Sequence, residues 1–96
     1  MIGGEIMHRA VISVIGKDKI GIIADISMVL KENQINILDI SQTIMQDIFT
    51  MIMLVDVSKI KIEFTDLSSR LEDTGKNHSL LIKIQHEDIF NSMHKL

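Results

Sequence analysis

From Ala10 to Ile15 the chain is almost continuously apolar, with Ala10, Ile12 and Val14 alternating with Val11, Ser13 and Ile15. This predicts a strand over His8 to Ile15 with two largely apolar faces, as in the middle of a sheet. From Ile20 to about Asn33 the period lengthens. Ile23, Ile26 and Leu30 recur at helical spacing, and Ile22 and Val29 widen the stripe. Asp18 is the candidate N-cap, Lys31 and Glu32 face water, and Asn33 suits the C-terminus.

Period two returns from Ile37 to Met45, where Asp39, Ser41 and Thr43 alternate with Leu38, Ile40, Gln42 and Ile44. Gln46-Asp47 is a tight turn, and Ile48 to Val57 is a third strand, apolar on both faces. Strands this close in sequence pair as an antiparallel hairpin. Phe64, Leu67 and Leu71 form a second helical stripe, with Thr65 as candidate N-cap and Gly75 as candidate C′ residue. Ser79 to Gln85 is a fourth strand. His86 to Lys95 is a short last helix, with Glu87 and Asp88 in its first turn and Ile89, Phe90 and Met93 docking it.

Strand, helix, strand, strand, helix, strand is the order of the α+β ferredoxin-like sandwich. Its four-stranded antiparallel sheet carries two helices on one face, here with a short C-terminal helix added. Right-handed crossovers put strands one and three in the centre and strands two and four at the edges. The hydropathy agrees, since strand two carries Asp39, Ser41 and Thr43. The other face of the sheet keeps many apolar residues and has no long helix to cover it. A monomer would expose that patch, which predicts a homodimer or a dimer of dimers.

Composition narrows the chemistry. Ninety-six residues make one small domain, expected over 7–96, and 46% hydrophobic residues supply a core. Residues 1–6 are short and aperiodic, either an N-terminal extension or residues that precede an alternative start at Met7. The net charge of -3 leaves no electrostatic footprint for nucleic acid or an anionic membrane. The absence of cysteine excludes disulfides, zinc thiolates and thiol catalysis, and fits the cytoplasm. No apolar run approaches the about 20 residues that span a bilayer. Aromatics are 3%, without Tyr or Trp, which argues against base-stacking RNA platforms of this fold.

The chemistry concentrates in Gly16-Lys17-Asp18-Lys19-Ile20-Gly21-Ile22, between the first strand and the first helix. The first N–H groups of a helix lack intrahelical partners and carry the positive end of its dipole. Gly21 leaves room for another molecule beside them. Such a loop suits a small anion such as a carboxylate. In a second reading, Gly16 only makes a turn and Gly21 only permits tight helix–sheet packing. Elsewhere the signals are thin. Phe90 stands four residues after His86 where a metalloprotease pair needs a second His. No metal or cofactor is expected, no nucleophilic elbow or Walker loop exists, and the chain is not expected to be an enzyme.

Two stretches resemble a known family. Ile15-Gly16-Lys17-Asp18-Lys19-Ile20-Gly21-Ile22-Ile23-Ala24 and Ile35-Asn36-Ile37-Leu38-Asp39-Ile40-Ser41-Gln42 are similar to the opening half of an ACT domain. The ending His86-Glu87-Asp88-Ile89-Phe90-Asn91 is similar to a stand-alone, uncharacterised branch of that family. The resemblance implies a small module that binds an amino acid and regulates an enzyme or transcription. It implies a ligand held where the first loop of one subunit meets the second strand of its neighbour. On this chain the loop side is Gly16, Asp18, Ile20, Gly21 and Ile22, and the strand side is Asn36, Ile37, Leu38 and Asp39. N–H groups near Gly21 would take an α-carboxylate, and Asp18 or Asp39 an α-ammonium. Asp18 as a simple cap, Asn36 as a turn residue and Asp39 as an edge-strand charge stay open beside that.

Three classes of function follow. The first is an amino-acid sensor acting on an unidentified regulated protein. The second is a ligand-free dimerisation or protein-interaction module. The third is an acylphosphatase-type hydrolase, which needs an arginine in the first loop where this chain has Lys17 and Lys19.

Overall fold

The computed structural model describes residues 8–17 and 21–93. The described elements are β1 (Arg9–Gly16), α1 (Ile22–Glu32), β2 (Asn36–Met45), β3 (Ile48–Asp56), α2 (Phe64–Asn77), β4 (Leu81–His86) and α3 (Glu87–Met93). They form one antiparallel sheet in the order β2-β3-β1-β4. The ferredoxin-like sandwich is therefore the fold, with the most apolar strands in its centre.

Register divides the sheet into two faces. Ala10, Ile12 and Val14 of β1 stand beside Val55, Met53 and Met51 of β3 and, along β4, Ile84 beside Ile12 and Ile82 beside Val14. These side chains are buried with Ile22, Ile26 and Leu30 of α1 and Leu67 and Leu71 of α2. The opposite face carries Ile15, Ile48, Ile52 and Leu81, all substantially exposed. Val11 shares that face but is buried. It lies at the end of β1 where α3 packs and where Arg9 Nε and Nη2 donate to Glu87 at 2.9 and 2.8 Å.

Several boundaries differ from the sequence reading, each for a local reason. Both long helices end in a Schellman turn. Ile35 N–H donates to Leu30 O at 2.9 Å and Leu80 N–H to Gly75 O at 2.8 Å, with Gln34 and Ser79 in the left-handed conformation at φ 57°. Gly75 is thus not a C′ residue. It is buried inside α2, because a Cβ there would stand 2.6 Å from Leu80 O. Ser79 belongs to this turn and not to a strand. Thr65 lies inside α2, whose N-cap is Glu63. The helix starts two residues earlier than a Thr65 cap allows, with the Phe64 ring stacked on His86 at 3.9 Å. His86 in turn is the last residue of β4, paired with Ala10, and not the start of a helix.

In α1, Ile22 takes the core position and Ile23 is left 41% exposed. The helix begins after Gly21, and its buried side chains then fall at Ile22, Ile26 and Leu30. In β2 the alternation breaks at a β-bulge between Ile37 and Asp39. Leu38 is the extra residue, so Ile37, Ile40, Gln42 and Ile44 share the helix-bearing face. The Lys95 end of the predicted last helix and the expected extension at 1–6 lie outside the described residues.

Candidate functional site

Gly21 is the N-cap of α1, at φ 77° and ψ -15°. That is the left-handed region, where a side chain costs about 1–2 kcal/mol and glycine costs nothing. The first turn closes when Asp25 N–H donates to Gly21 O at 3.1 Å. The N–H groups of Ile22, Ile23 and Ala24 precede that bond, so the helix ladder does not use them. Gly21 has no side chain to cap them. The Ile22 side chain is fully buried, so its contribution to a site is its backbone. Asp18 and Ile20, two of the candidate ligand contacts, lie outside the described residues.

The loop is flanked on both sides. Lys17 reaches Asp47 in the β2–β3 turn at 3.7 Å. On the other side stands His78, the C-cap of α2, whose Cε1 would lie 3.5 Å from a Cβ built on Gly21. His78 Nε2 is 2.5 Å from Asp25 Oδ2. This His–Asp pair escapes a reading of the sequence, because 53 positions separate the two residues. Only the packing of α2 beside α1 brings them together. Gly16 has a packing role: a Cβ there would overlap Leu80 Cδ2 at 1.7 Å.

The second half of the expected site lies elsewhere in the subunit. Asn36 pairs with Asp56, which pairs with Arg9; Gly16 pairs with Phe49, which pairs with Ile44. Seven residue steps along β1, from Arg9 to Gly16, therefore separate the two ladder rows, about 23 Å at strand rise. Asn36, Ile37, Leu38 and Asp39 are all exposed along the free edge. Asp39 Oδ1 accepts from the Ile40 N–H at 2.9 Å. Among the described residues of one chain, Asn36–Asp39 do not meet Gly16 or Gly21 at the ends of the glycine loop.

At that far end Asp56 is a charged landmark. Hydrogen bonds from the Ser58 hydroxyl and, at 2.9 Å, from the Ser58 N–H hold its carboxyl below the ordinary value of 3.8. Lys59 and His8 add a smaller pull in the same direction. Among the described residues no three His, Asp or Glu side chains gather as a metal site, and no helix is long and apolar enough to cross a membrane.

The sequence pattern of the ACT domain matches residues 8–85. The chain is 54% identical to a UPF0237 protein of Methanocaldococcus jannaschii over 90 residues, covering 94% of this chain and all of the relative. It is 56% identical to a UPF0237 protein of Clostridium acetobutylicum over 88 residues, covering 92% and 99%. Among solved structures it is similar to an ACT domain protein from Streptococcus pneumoniae, with TM-score 0.75 and 42% identity, covering 88% of this chain and 94% of that one. The ligand-free regulatory subunit of aspartate kinase from Thermus thermophilus shares the fold, with TM-score 0.61 at 21% identity over 82% of this chain and 51% of that one.

Proposed function

Because the chain belongs to the ACT domain family, whose members are regulatory ligand-binding modules, we propose that it binds an amino acid, or a similar small carboxylate, between two copies of itself. The observation that carries this reading is the separation of the two half-sites along one sheet, together with the free edge between them. All ten residues of β2 are exposed, among them Ile37, Leu38, Ile40, Ile44 and Met45. An edge strand of this length and hydropathy is a template for pairing with another chain.

Antiparallel pairing of two β2 strands about a twofold axis near Ile40 and Ser41 sets Asn36 of one copy across from Met45 of the other. The partner's Asn36–Asp39 segment then comes to the end of the sheet where the glycine loop lies. The α-carboxylate would sit on the N–H groups of Ile22, Ile23 and Ala24, at the positive end of α1. Asp39 of the partner copy would face the α-ammonium. Nothing in this arrangement requires chemistry on the ligand, and the protein acts as a sensor for another protein and not as an enzyme.

Sedimentation and calorimetry test both halves of the reading. The parent chain is expected to be a dimer, or a dimer of dimers, at micromolar concentration and to bind at least one standard amino acid. Ile40→Lys is expected to dissociate it and abolish binding together. A parent that dimerises through β2 but binds no amino acid at millimolar concentration would establish the second reading, a dimerisation module, which the apolar edge alone already favours. A parent that is monomeric would remove the shared site.

A further inference from the structure

β4 buries its inner side chains but keeps a free backbone edge. Among the described residues it pairs with β1 only, at the end of the sheet opposite β2. Every second N–H and C=O along its six residues therefore points away from the sheet. Gly75 lets α2 approach the Leu80 carbonyl closely, and Glu72 and Lys76, one helical turn apart, then stand along this edge. With Leu80, Leu81, Ile82 and Lys83 they line a groove of about 290 Å³. That is near the lower limit of ligand clefts, about 300 Å³, and it follows a strand. Its floor is apolar: Leu80 and Ile82 are buried, and Leu81 is 64% exposed. Lys83 and Leu81 stand opposite Ser13 and Ile15, on the face without α1 and α2. Among the described residues neither Lys76 nor Lys83 forms an ion pair, while the Ser68 hydroxyl donates to Glu72 at 3.4 Å. Two lysines against one glutamate make the groove positive in a chain of net charge -3.

We infer that this groove binds an extended acidic segment of another protein, added to the sheet as a strand beside β4. Main-chain hydrogen bonds to the free edge supply affinity, and the side chains on either side of that edge supply selection. On the open face an apolar residue packs beside Leu81 and a carboxylate pairs with Lys83. On the helix side a second carboxylate meets Lys76. In the β2-paired assembly proposed above, the two β4 strands are the sheet edges left free. The inference rests on that reading for the role of the segment's owner as the regulated protein, whereas the groove belongs to each chain by itself. A second copy is the poorer occupant. β4 paired with its twin about Lys83 sets two ammonium groups directly opposite each other, which is destabilising. β4 paired with β2 of another copy is a head-to-tail contact, which leaves β2 and β4 free at the two ends and builds open chains.

Selection of the full chain against a displayed library of random peptides, each about twelve residues long, tests the inference without a known partner. The enriched peptides are expected to alternate apolar and acidic residues over the length of β4. Bound peptide is expected to slow amide hydrogen exchange over Leu81–His86 and to leave Asn36–Met45 unchanged. Lys83→Glu, on an exposed position, is expected to weaken these peptides at least about fivefold, the scale of a cross-strand charge pair turned into a like-charge one. The same variant is expected to select basic peptides in their place. A library that yields no binder, binders indifferent to Lys83→Glu, or protection over β2 instead of β4 would overturn the inference. Growth of the parent into open chains that Lys83→Glu disperses would overturn it as well, in favour of a second copy. Sedimentation of the same samples separates the two readings: a monomer that still takes acidic peptides on β4 removes the shared amino-acid site and leaves the groove.

Discussion

The two edges of the sheet are built to different ends. β4 alternates: Ile82 and Ile84 are buried while Leu81 and Lys83 are exposed, because α2 lies across its inner face. β2 is exposed along its whole length, although Ile37, Ile40 and Ile44 point to the same side of the sheet as the helices. The difference is one of coverage, not of sequence pattern. Two helices cannot roof four strands here, and they roof β1, β3 and β4. β4 is finished within the chain. β2 carries apolar residues that water covers in one copy and that a second β2 would bury.

Matched truncations give the largest contrast. Ile82→Ala on β4 opens a cavity in the core and is expected to cost about 2–5 kcal/mol in urea unfolding. Ile40→Ala on β2 is expected to cost under about 0.5 kcal/mol in the dissociated chain. Its effect is expected in the concentration dependence of unfolding, since it weakens assembly. Equal losses at both sites, at all concentrations, would show that β2 is covered within one chain.

A second contrast concerns the glycines that serve each region. Gly75→Ala forces a Cβ against the Leu80 carbonyl and Ile82 on the β4 side, and is expected to destabilise by about 1–3 kcal/mol as an overpacked core does. Among the described residues Gly21→Ala meets His78, at van der Waals distance, but must hold φ 77°, for about 1–2 kcal/mol. Larger residues at Gly21 are accordingly poor tests of binding alone, because they also strain the backbone. Thermal unfolding of the two variants is expected to rank Gly75→Ala as the more damaging.

The smallest effect is expected at Asp56, on the β3 end beside Asn36 of β2 and Arg9 of β1. Its carboxyl is held below 3.8 in the folded chain by Ser58. A depressed carboxyl favours folding above its unfolded value, and that contribution disappears as pH falls through the folded value. Ser58→Ala is therefore expected to lower the urea midpoint slightly at pH 7, and the gap to the parent is expected to close in acid below 3.8. A gap that persists unchanged in acid would mean that Ser58 acts through turn geometry and not through the charge.

Local pattern determined most of the architecture. Period two in β1 and β3, helical spacing in α1 and α2, and the two-residue turn at Gln46-Asp47 are properties of short windows, so they identify themselves in the sequence. Their order then leaves one compact topology, and the strand order follows from crossover handedness. Tertiary structure decided what depends on distant neighbours. Gly75 reads as a helix end because glycine often is one, and only the approach of Leu80 shows why it lies inside α2. The bulge at Leu38 moves Ile37 across the sheet, a shift that alternation cannot reveal. His78 and Asp25 meet only because α2 packs on α1. The sequence determined which residues line the loop and the edge. Packing decided that the Asn36 row and the Gly16 row stand about 23 Å apart along one sheet, because strand rise and register are properties of the whole sheet.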